Sequence, residues 1–218
     1  MADGRTVHAE DLNSTADKPV DPSRPQAGRR RLLCGMCAVG LGVPALTRAQ
    51  VSSDPAAQLP PQVGDYIALA FGERAGQPLG AGDIAVDAKQ EFAYAVDPAT
   101  GLMRNGSRMH QLVLTRLDPA TLAASTLARS ANGVVAYSGM CSHTGCDVTD
   151  WNAELKRFQC PCHESQFDPH DGARVVGGPA PWQLAALPLK EVDGKLVVAA
   201  AFEGRLGFQQ PGLSPFGI

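Results

Sequence analysis

The sequence lacks a strong charge of either sign and is poor in aromatic residues. Its 218 residues include 19 Lys and Arg against 22 Asp and Glu, a formal net charge of −3, and 6% are aromatic. Nucleic-acid-binding proteins usually carry an excess of basic residues, so this balance gives no electrostatic reason to expect a nucleic-acid partner. Because 44% of the residues are hydrophobic, the chain can still bury one ordinary core, and we expect one folded domain.

Long apolar runs are also absent. The apolar stretch nearest the N-terminus, residues 32–46, would extend about 22 Å as an α-helix, less than the roughly 30 Å hydrocarbon core of a bilayer. Three arginines precede this stretch, and Thr47-Arg48-Ala49, with small residues on either side of Arg48, follows it. Basic, apolar and then small residues form the layout of an export signal. The arginine pair resembles the twin-arginine type, although Gly28 and Leu32 depart from the residues usual there.

These features divide the chain into four predicted segments. Residues 1–28 are polar without an apolar period, which predicts disorder, and residues 29–49 are the twin-arginine-type signal or a membrane anchor. A linker composition covers residues 50–62, and the folded domain is expected over residues 63–218.

Three fates of the apolar stretch, residues 32–46, stay open: a cleaved signal, a retained membrane anchor and a buried core helix. Twin-arginine export predicts a periplasmic protein, with possible attachment to the inner membrane.

Cys34 and Cys37 form a C-x-x-C pair inside the predicted signal, residues 29–49, which we call the leader. In a folded domain that spacing could indicate redox chemistry or a zinc knuckle. Here small apolar cysteines fit the apolar part of a signal, and we assign them no chemistry.

The rest of the chain has the pattern of an all-β domain. Its many turn residues, among the 23 Gly and 17 Pro of the sequence, separate short apolar and β-branched runs. An Asp193-Gly194 turn predicts a hairpin over residues 190–198, and residues 119–130 fit either a short helix or a loop. The predicted strands cover residues 66–71, 84–86, 111–117, 134–138, 157–160, 184–189 and 195–202.

Four cysteines beyond the leader fall into two hexapeptides, each with a histidine at metal-ligand spacing. They are Cys141-Ser142-His143-Thr144-Gly145-Cys146 and Cys160-Pro161-Cys162-His163-Glu164-Ser165. Two disulfides without a metal would leave both histidines unexplained. A structural zinc site usually takes C-x-x-C knuckles and four ligands, fewer than the six candidates present.

The composite motif, C-x-H, sixteen residues and C-x-x-H, resembles that of the Rieske iron–sulfur proteins that contain a disulfide. The resemblance implies one 2Fe-2S cluster and an all-β Rieske fold of antiparallel sheets, with a small cluster-binding lobe over about residues 141–181. It also implies a ligand set and a disulfide: Cys141 and Cys160 on one iron, His143 and His163 on the other, and Cys146 joined to Cys162.

The implied ligands determine the charge of the cluster. Two ferric ions, two sulfides and two thiolates sum to zero, whereas four thiolates would give −2. A neutral cluster accepts an electron at lower cost, and Rieske centres have potentials of about −150 to +300 mV. The resemblance therefore implies a one-electron carrier of high potential.

Several further residues extend the resemblance. Gly178-Pro179-Ala180-Pro181 matches the proline-rich loop that covers the cluster, with two prolines that rigidify the backbone, and Ser165 stands where a hydroxyl bonds a bridging sulfide. Phe167 and Thr144 depart from the quinol-oxidising members, which usually have tyrosine and leucine there. These two departures imply a lower potential and argue against quinol oxidation.

Two subfamilies remain candidates. Residues 134–138, Phe167-Asp168 and Gly204-Arg205-Leu206 look like the small subunit of arsenite oxidase, whereas the proline-rich loop looks like the cytochrome bc type. We expect a periplasmic electron-transfer subunit that passes electrons from a molybdenum-containing catalytic subunit to a cytochrome or quinone pool. It is not expected to be a catalyst alone. The alternative is the Rieske subunit of a quinol-oxidising cytochrome bc complex.

Rivals of other classes explain less of the sequence. A ring-hydroxylating oxygenase needs a mononuclear iron site of two histidines and a carboxylate, with a domain to house it. In residues 50–218 only His110 and His170 lie outside the motif, and we expect both to be ordinary surface or core residues. The other rival is a non-redox structural module, which would show no absorption spectrum in the visible range.

Overall fold

The computed structural model describes residues 54–208. The predicted extension (residues 1–28), the predicted signal (residues 29–49) and the leader cysteines lie outside the described residues, so those interpretations stay predictions. Among residues 54–208, no helix has the length and apolarity needed to cross a membrane.

In residues 54–208, ten strands, all paired antiparallel, form two sheets. A six-stranded sheet has the order β4-β3-β2-β1-β10-β9, and a four-stranded sheet has the order β5-β6-β7-β8. The predicted all-β antiparallel fold is therefore confirmed. The strands are β1 (Tyr66–Leu69), β2 (Glu91–Val96), β3 (Leu112–Arg116), β4 (Val134–Ser138), β5 (Asp150–Asn152), β6 (Arg157–Gln159), β7 (Gln166–Asp168), β8 (Arg174–Gly177), β9 (Leu189–Val192) and β10 (Lys195–Val198).

Helical structure is short throughout the described residues. The segment left open between helix and loop contains a 3-10 turn, Pro119–Thr121, followed by a short α-helix, α1, Ala124–Leu127. The Asp118 carboxylate accepts a hydrogen bond from the Ala120 amide and so caps the 3-10 turn. Three other 3-10 turns are Pro55–Gln58, Ala81–Asp83 and Arg108–His110.

Alternating side chains on β3 and β4 divide the interior into two cores. On one face, Leu112, Leu114, Val134 and Ala136 pack into the core of the large sheet. Successive residues of a strand point to opposite faces of the sheet, so the residues adjacent to these four face the other side. Val113, Val135 and Tyr137 thus pack into a second core with Phe158 and Phe167 of the small sheet. The small sheet and its loops form a lobe on the back of β3 and β4.

The predicted hairpin is present as β9 and β10. Asp193 and Gly194 both have positive φ, 50° and 73°, as a two-residue type I′ turn requires. Two predicted strands are absent from the described residues. Residues 84–86 make only an isolated bridge from Val86 to Arg116, and in residues 184–188 only Ala186 bridges, to Tyr137 and Glu203. Residues 184–188 are apolar because the cores bury them, whereas in residues 84–86 only Ile84 is buried and Val86 is 51% exposed. An apolar or β-branched run therefore does not by itself require a continuous ladder.

The folded contacts begin earlier in the chain than the predicted start near residue 63. Ala57 is fully buried, and its carbonyl accepts a hydrogen bond from the Gly106 amide. The Arg104 guanidinium donates to the Ala56 carbonyl and also pairs with the buried Asp65. Residues 54–62 thus pack against the domain through hydrogen bonds from the Gly106 amide and the Arg104 side chain. Both donors are distant in the chain, so the composition of residues 54–62 does not reveal these contacts.

Candidate metal centre

The two hexapeptides fold into loops with the same hydrogen bonds. In each, the amide of the first residue donates to the carbonyl of the sixth: Cys141 to Cys146 at 2.8 Å, and Cys160 to Ser165 at 2.9 Å. The amide of the fifth residue donates to the carbonyl of the first, from Gly145 at 3.0 Å and from Glu164 at 3.0 Å. We call residues 141–146 and 160–165 the first and second ligand loops.

The shared turn needs a left-handed residue at its fifth position. Gly145 has φ 79°, which glycine adopts freely, and Glu164 has φ 57°, which costs an ordinary residue free energy. A Cβ on Gly145 would also lie 2.6 Å from the ring of Phe208. The glycine in the first loop thus serves both the turn and the close approach of the C-terminal segment.

Cys141 and Cys160 are buried free thiols that lie side by side. Each is 1% exposed, and both belong to the second core with Phe158 and Phe167. Burial raises the pKa of the Cys141 thiol to about 11, and the neighbouring Cys160 opposes its ionisation, whereas bonds from the His143 amide and the Ser165 hydroxyl favour it. A cation bound between the two sulfurs would favour the thiolate form of Cys141, which is the function of a metal ion at such a pair.

The structure also brings His143 and His163 together. Their ring centroids are 4.6 Å apart, and the two Nδ1 atoms are 3.2 Å apart. His143 is half-buried and His163 is exposed. The imidazoles thus lie at the solvent side of the loops, whereas the thiols lie at the core side.

Cys146 and Cys162 form a disulfide with a Cα–Cα distance of 6.5 Å, as predicted. It joins the two ligand loops across a sequence separation of 16 residues. The Cys160 sulfur lies near this bond, because the sulfur atoms of Cys146, Cys160 and Cys162 are all within 4.8 Å of one another. Two of these three sulfurs bond each other, so the trio is not itself a metal site while the disulfide is intact.

A third loop, residues 178–182, packs against both ligand loops. It leaves β8 beside the second ligand loop because Gly177 pairs with Gln166 at the start of β7. The Ala180 amide donates to Ser165 Oγ at 3.1 Å, and Ser142 Oγ donates to the Trp182 carbonyl at 2.5 Å. Ser142 and Ser165 are fully buried, so each of these bonds is shielded from water.

Within the third loop, Gly178 makes the closest approach. It has φ 77°, and a Cβ there would lie 2.5 Å from Ser165 Cα and 2.7 Å from Ser165 N. Pro179 and Pro181 are exposed on either side of the buried Ala180. The predicted covering loop therefore lies against the second ligand loop.

The two residues that depart from the quinol-oxidising pattern occupy different environments. Phe167 is fully buried on β7, opposite Phe158 and Val175. Thr144 is exposed at the tip of the first ligand loop, with Oγ1 3.7 Å from Cys146 Sγ. The lobe thus has an apolar ring where a hydroxyl is usual in that subgroup, and a polar tip where leucine is usual.

Several contacts around the loops were not predicted. The Arg108 guanidinium donates to the Gly145 carbonyl at 3.2 Å and to Asp147 at 2.8 Å, and Arg205 lies 4.1 Å above the Trp182 ring. The sequence separates Arg108 from Asp147 by 39 residues, and no local pattern links them. His110, expected to be an ordinary surface or core residue, is buried. His170, of which the same was expected, hydrogen-bonds Asp168 at 3.2 Å.

The donor set fits a binuclear iron–sulfur group with mixed ligands. Two adjacent thiols and two adjacent imidazoles lie on two loops that share one backbone geometry. Sulfur and imidazole donors suit iron in such clusters. The disulfide and the third loop hold the two loops together without using any of these four side chains.

Comparison with known proteins identifies the same region. Residues 103–188 match the family described as Rieske [2Fe-2S] domain. The chain is 39% identical over 98 residues to the cytochrome bc1 complex Rieske iron-sulfur subunit of Streptomyces lividans, covering 44% of this chain and 58% of the relative. It is 45% identical over 76 residues to a Haloferax mediterranei protein named provisionally as a respiratory nitrate reductase Rieske subunit, covering 34% of each.

The matched region spans less than two thirds of the length of these relatives. Among solved structures, the soluble domain of Rieske protein II from Sulfolobus acidocaldarius aligns with 21% identity and a TM-score of 0.34, over 46% of this chain and 67% of that one.

Proposed function

Because residues 103–188 of this chain are a Rieske 2Fe-2S domain, which holds one 2Fe-2S cluster, we propose that the protein is an electron-transfer subunit of a periplasmic oxidoreductase. The cluster, when bound, takes up and releases one electron at a time. The observation that carries the proposal is the convergence of two thiols and two imidazoles on two matched loops.

Within this proposal each group of residues has a role. Cys141 and Cys160, which are buried, would hold one iron, and His143 and His163, which lie nearer the surface, would hold the other. Ser165 orients the third loop through Ala180 and donates toward the Cys141 sulfur, while Gly178 allows that loop to approach. Because His163 is exposed, a cluster held by its imidazole would lie close to a partner bound at that surface.

The partner that we favour is a molybdenum-containing catalytic subunit of the arsenite oxidase kind, from which electrons pass to a cytochrome or quinone pool. The buried Phe167 and the exposed Thr144 support this choice over quinol oxidation. The second candidate is the Rieske subunit of a quinol-oxidising cytochrome bc complex. The name of the Streptomyces lividans relative, a subunit of the cytochrome bc1 complex, favours this candidate.

Metal analysis tests the site itself. We expect two iron and two acid-labile sulfides per chain, with a reduced-state paramagnetic resonance signal of the Rieske type. His143→Ala and His163→Ala should each abolish that signal, while His170→Ala, a histidine outside both loops, should retain it. One zinc per chain without sulfide would contradict the proposed ligand set.

Purification of the tagged chain from its native host tests the partner and the location. We expect a complex that contains molybdenum, recovered from the periplasmic or membrane fraction. A complex with b-type haem and no molybdenum would overturn the first candidate and support the second. Recovery in the cytoplasmic fraction alone would contradict export.

A further inference from the structure

Three sulfur atoms at the junction of the ligand loops form an arrangement that electron transfer does not use. Cys146 and Cys162 share a disulfide, and the free thiol of Cys160 lies within 4.8 Å of both sulfurs. A thiolate that adjoins a disulfide is the reactant pair of thiol–disulfide exchange. In the described residues, the other free thiol is Cys141, which is buried beside Cys160.

We propose that Cys160 rearranges this disulfide whenever the chain carries no cluster. The Cys160 thiolate attacks the sulfur of Cys146, so a Cys146–Cys160 bond forms and the Cys146–Cys162 bond breaks. Cys162 leaves as a thiolate and takes up one proton, which balances the proton that Cys160 loses. One disulfide replaces another, and no oxidant or reductant is consumed.

The loop geometry favours attack on Cys146 over attack on Cys162. Only Pro161, with its rigid φ, separates Cys160 from Cys162, so a bond between them would close a small and strained ring. Cys146 belongs to the other loop, and its bond to Cys160 would keep the two loops joined. Cys162 is also the better leaving group, because it is exposed and water can solvate its thiolate, whereas Cys146 is half-buried.

The exchange would leave a chain that cannot bind its cofactor, since Cys160 would no longer be free. Cluster insertion must therefore precede the arrival of the chain in an oxidising compartment, or the disulfide forms on an empty site and rearranges. Protection by the cluster rests on the proposed assignment of Cys160 as a ligand, whereas the exchange in the empty chain does not.

Cysteine mapping tests the proposal. The protein is the full chain with Cys34→Ser and Cys37→Ser, prepared free of cluster with its disulfide intact and incubated without oxygen. Free thiols are alkylated under native conditions and located by peptide mass spectrometry. Both initial thiols are buried, so we expect alkylation to rise from near none to roughly one site per chain, at Cys162, with loss of the Cys146–Cys162 link and gain of a Cys146–Cys160 link.

Two matched variants identify the attacking residue. Cys160→Ser should keep the Cys146–Cys162 link, and Cys141→Ser, which removes the other buried thiol, should still rearrange. Circular dichroism checks that both retain the β-rich fold. Persistence of the Cys146–Cys162 link in the empty parent chain, or rearrangement in Cys160→Ser, would overturn the proposal. Rearrangement that also occurs in cluster-loaded protein would leave the exchange standing and contradict the ligand role of Cys160.

Discussion

At the scale of single residues, the environment of Phe167 bears most directly on the redox properties. Its ring is fully buried in the core that also contains Cys141 and Cys160. A ring there excludes water from the sulfur side of the site but offers no hydrogen bond. A hydroxyl that donates to a ligand sulfur stabilises the reduced and more negative state, so its absence lowers the potential.

Phe167→Tyr should therefore raise the midpoint potential. A hydrogen bond to a charged group contributes about 1.5–3 kcal/mol, which for one electron corresponds to an upper range of roughly 65–130 mV, and we expect a rise of tens of millivolts. Protein-film voltammetry measures it. Phe158→Tyr is the control, because Phe158 is equally buried but packs against the Tyr137 and Trp151 rings. No rise, or a fall, in Phe167→Tyr would show that its ring edge does not face a ligand sulfur.

At the scale of elements, the features that could be recognised in the sequence are those formed by residues close together in the chain. The hairpin around Asp193-Gly194 and both ligand hexapeptides were visible because their turn and ligand residues are close in the chain. Four strands, β2, β5, β7 and β8, were missed. Three of them have only three or four residues, too few to show a period, and they are defined by their pairing with neighbouring strands of the small sheet. Bonds such as Ser142 to Trp182 span 40 residues and leave no local pattern.

The contact between the third loop and the second ligand loop can be tested through one glycine. Gly178→Ala should destabilise the fold, since its Cβ would overlap the Ser165 backbone and since φ 77° is unfavourable for alanine. The left-handed conformation costs about 1–2 kcal/mol and the overlap about 1–3 kcal/mol more. In urea unfolding, the free energy of unfolding should fall by the sum of these two costs. The variant should also lose its cluster faster on incubation than the parent chain does.

Gly194→Ala is the matched control, because Gly194 also has positive φ, 73°, but a Cβ there would contact nothing within 4 Å. It should show only the conformational cost, about 1–2 kcal/mol, and normal retention of the cluster. Equal effects of the two substitutions would mean that the third loop does not depend on its contact with Ser165.

At the scale of the whole molecule, the two cores share β3 and β4, and side chains reach across from one sheet to the other. The Gln90 amide on the large-sheet side donates to the Val148 and Asp150 carbonyls at the start of the lobe, at 3.2 and 3.1 Å. Tyr137 on β4 donates to the Pro169 carbonyl of the lobe at 2.9 Å. The lobe is thus fixed to the large sheet by polar bonds as well as by the second core.

Buried polar groups of the large-sheet region should make the stability of the whole molecule depend on pH. His110 is 7% exposed, beside the Arg104–Asp65 ion pair, and its Nδ1 atom has no hydrogen-bond partner. Burial lowers the pKa of His110 and the charge of Arg104 acts in the same direction, whereas the hydrogen bond to the Arg104 backbone opposes both. The folded protein therefore keeps this imidazole neutral at pH values where the unfolded chain protonates it.

The sign of the pH effect follows from proton linkage. Above the unfolded pKa of about 6.5 neither state binds the proton, and the contribution of His110 is fully present. As the pH falls below that value the unfolded chain binds a proton that the folded chain does not. The free energy of unfolding therefore decreases, by at most about 1.4 kcal/mol per pH unit from this residue.

Urea unfolding at pH 7.5 and pH 5.5 measures this effect. Between the two pH values, the free energy of unfolding should decrease less for His110→Gln than for the parent chain. The visible spectrum must show the cluster retained at both pH values, so that ligand loss is not counted as unfolding. Equal decreases in the two proteins would mean that His110 takes up its proton as readily inside the fold as in the unfolded chain.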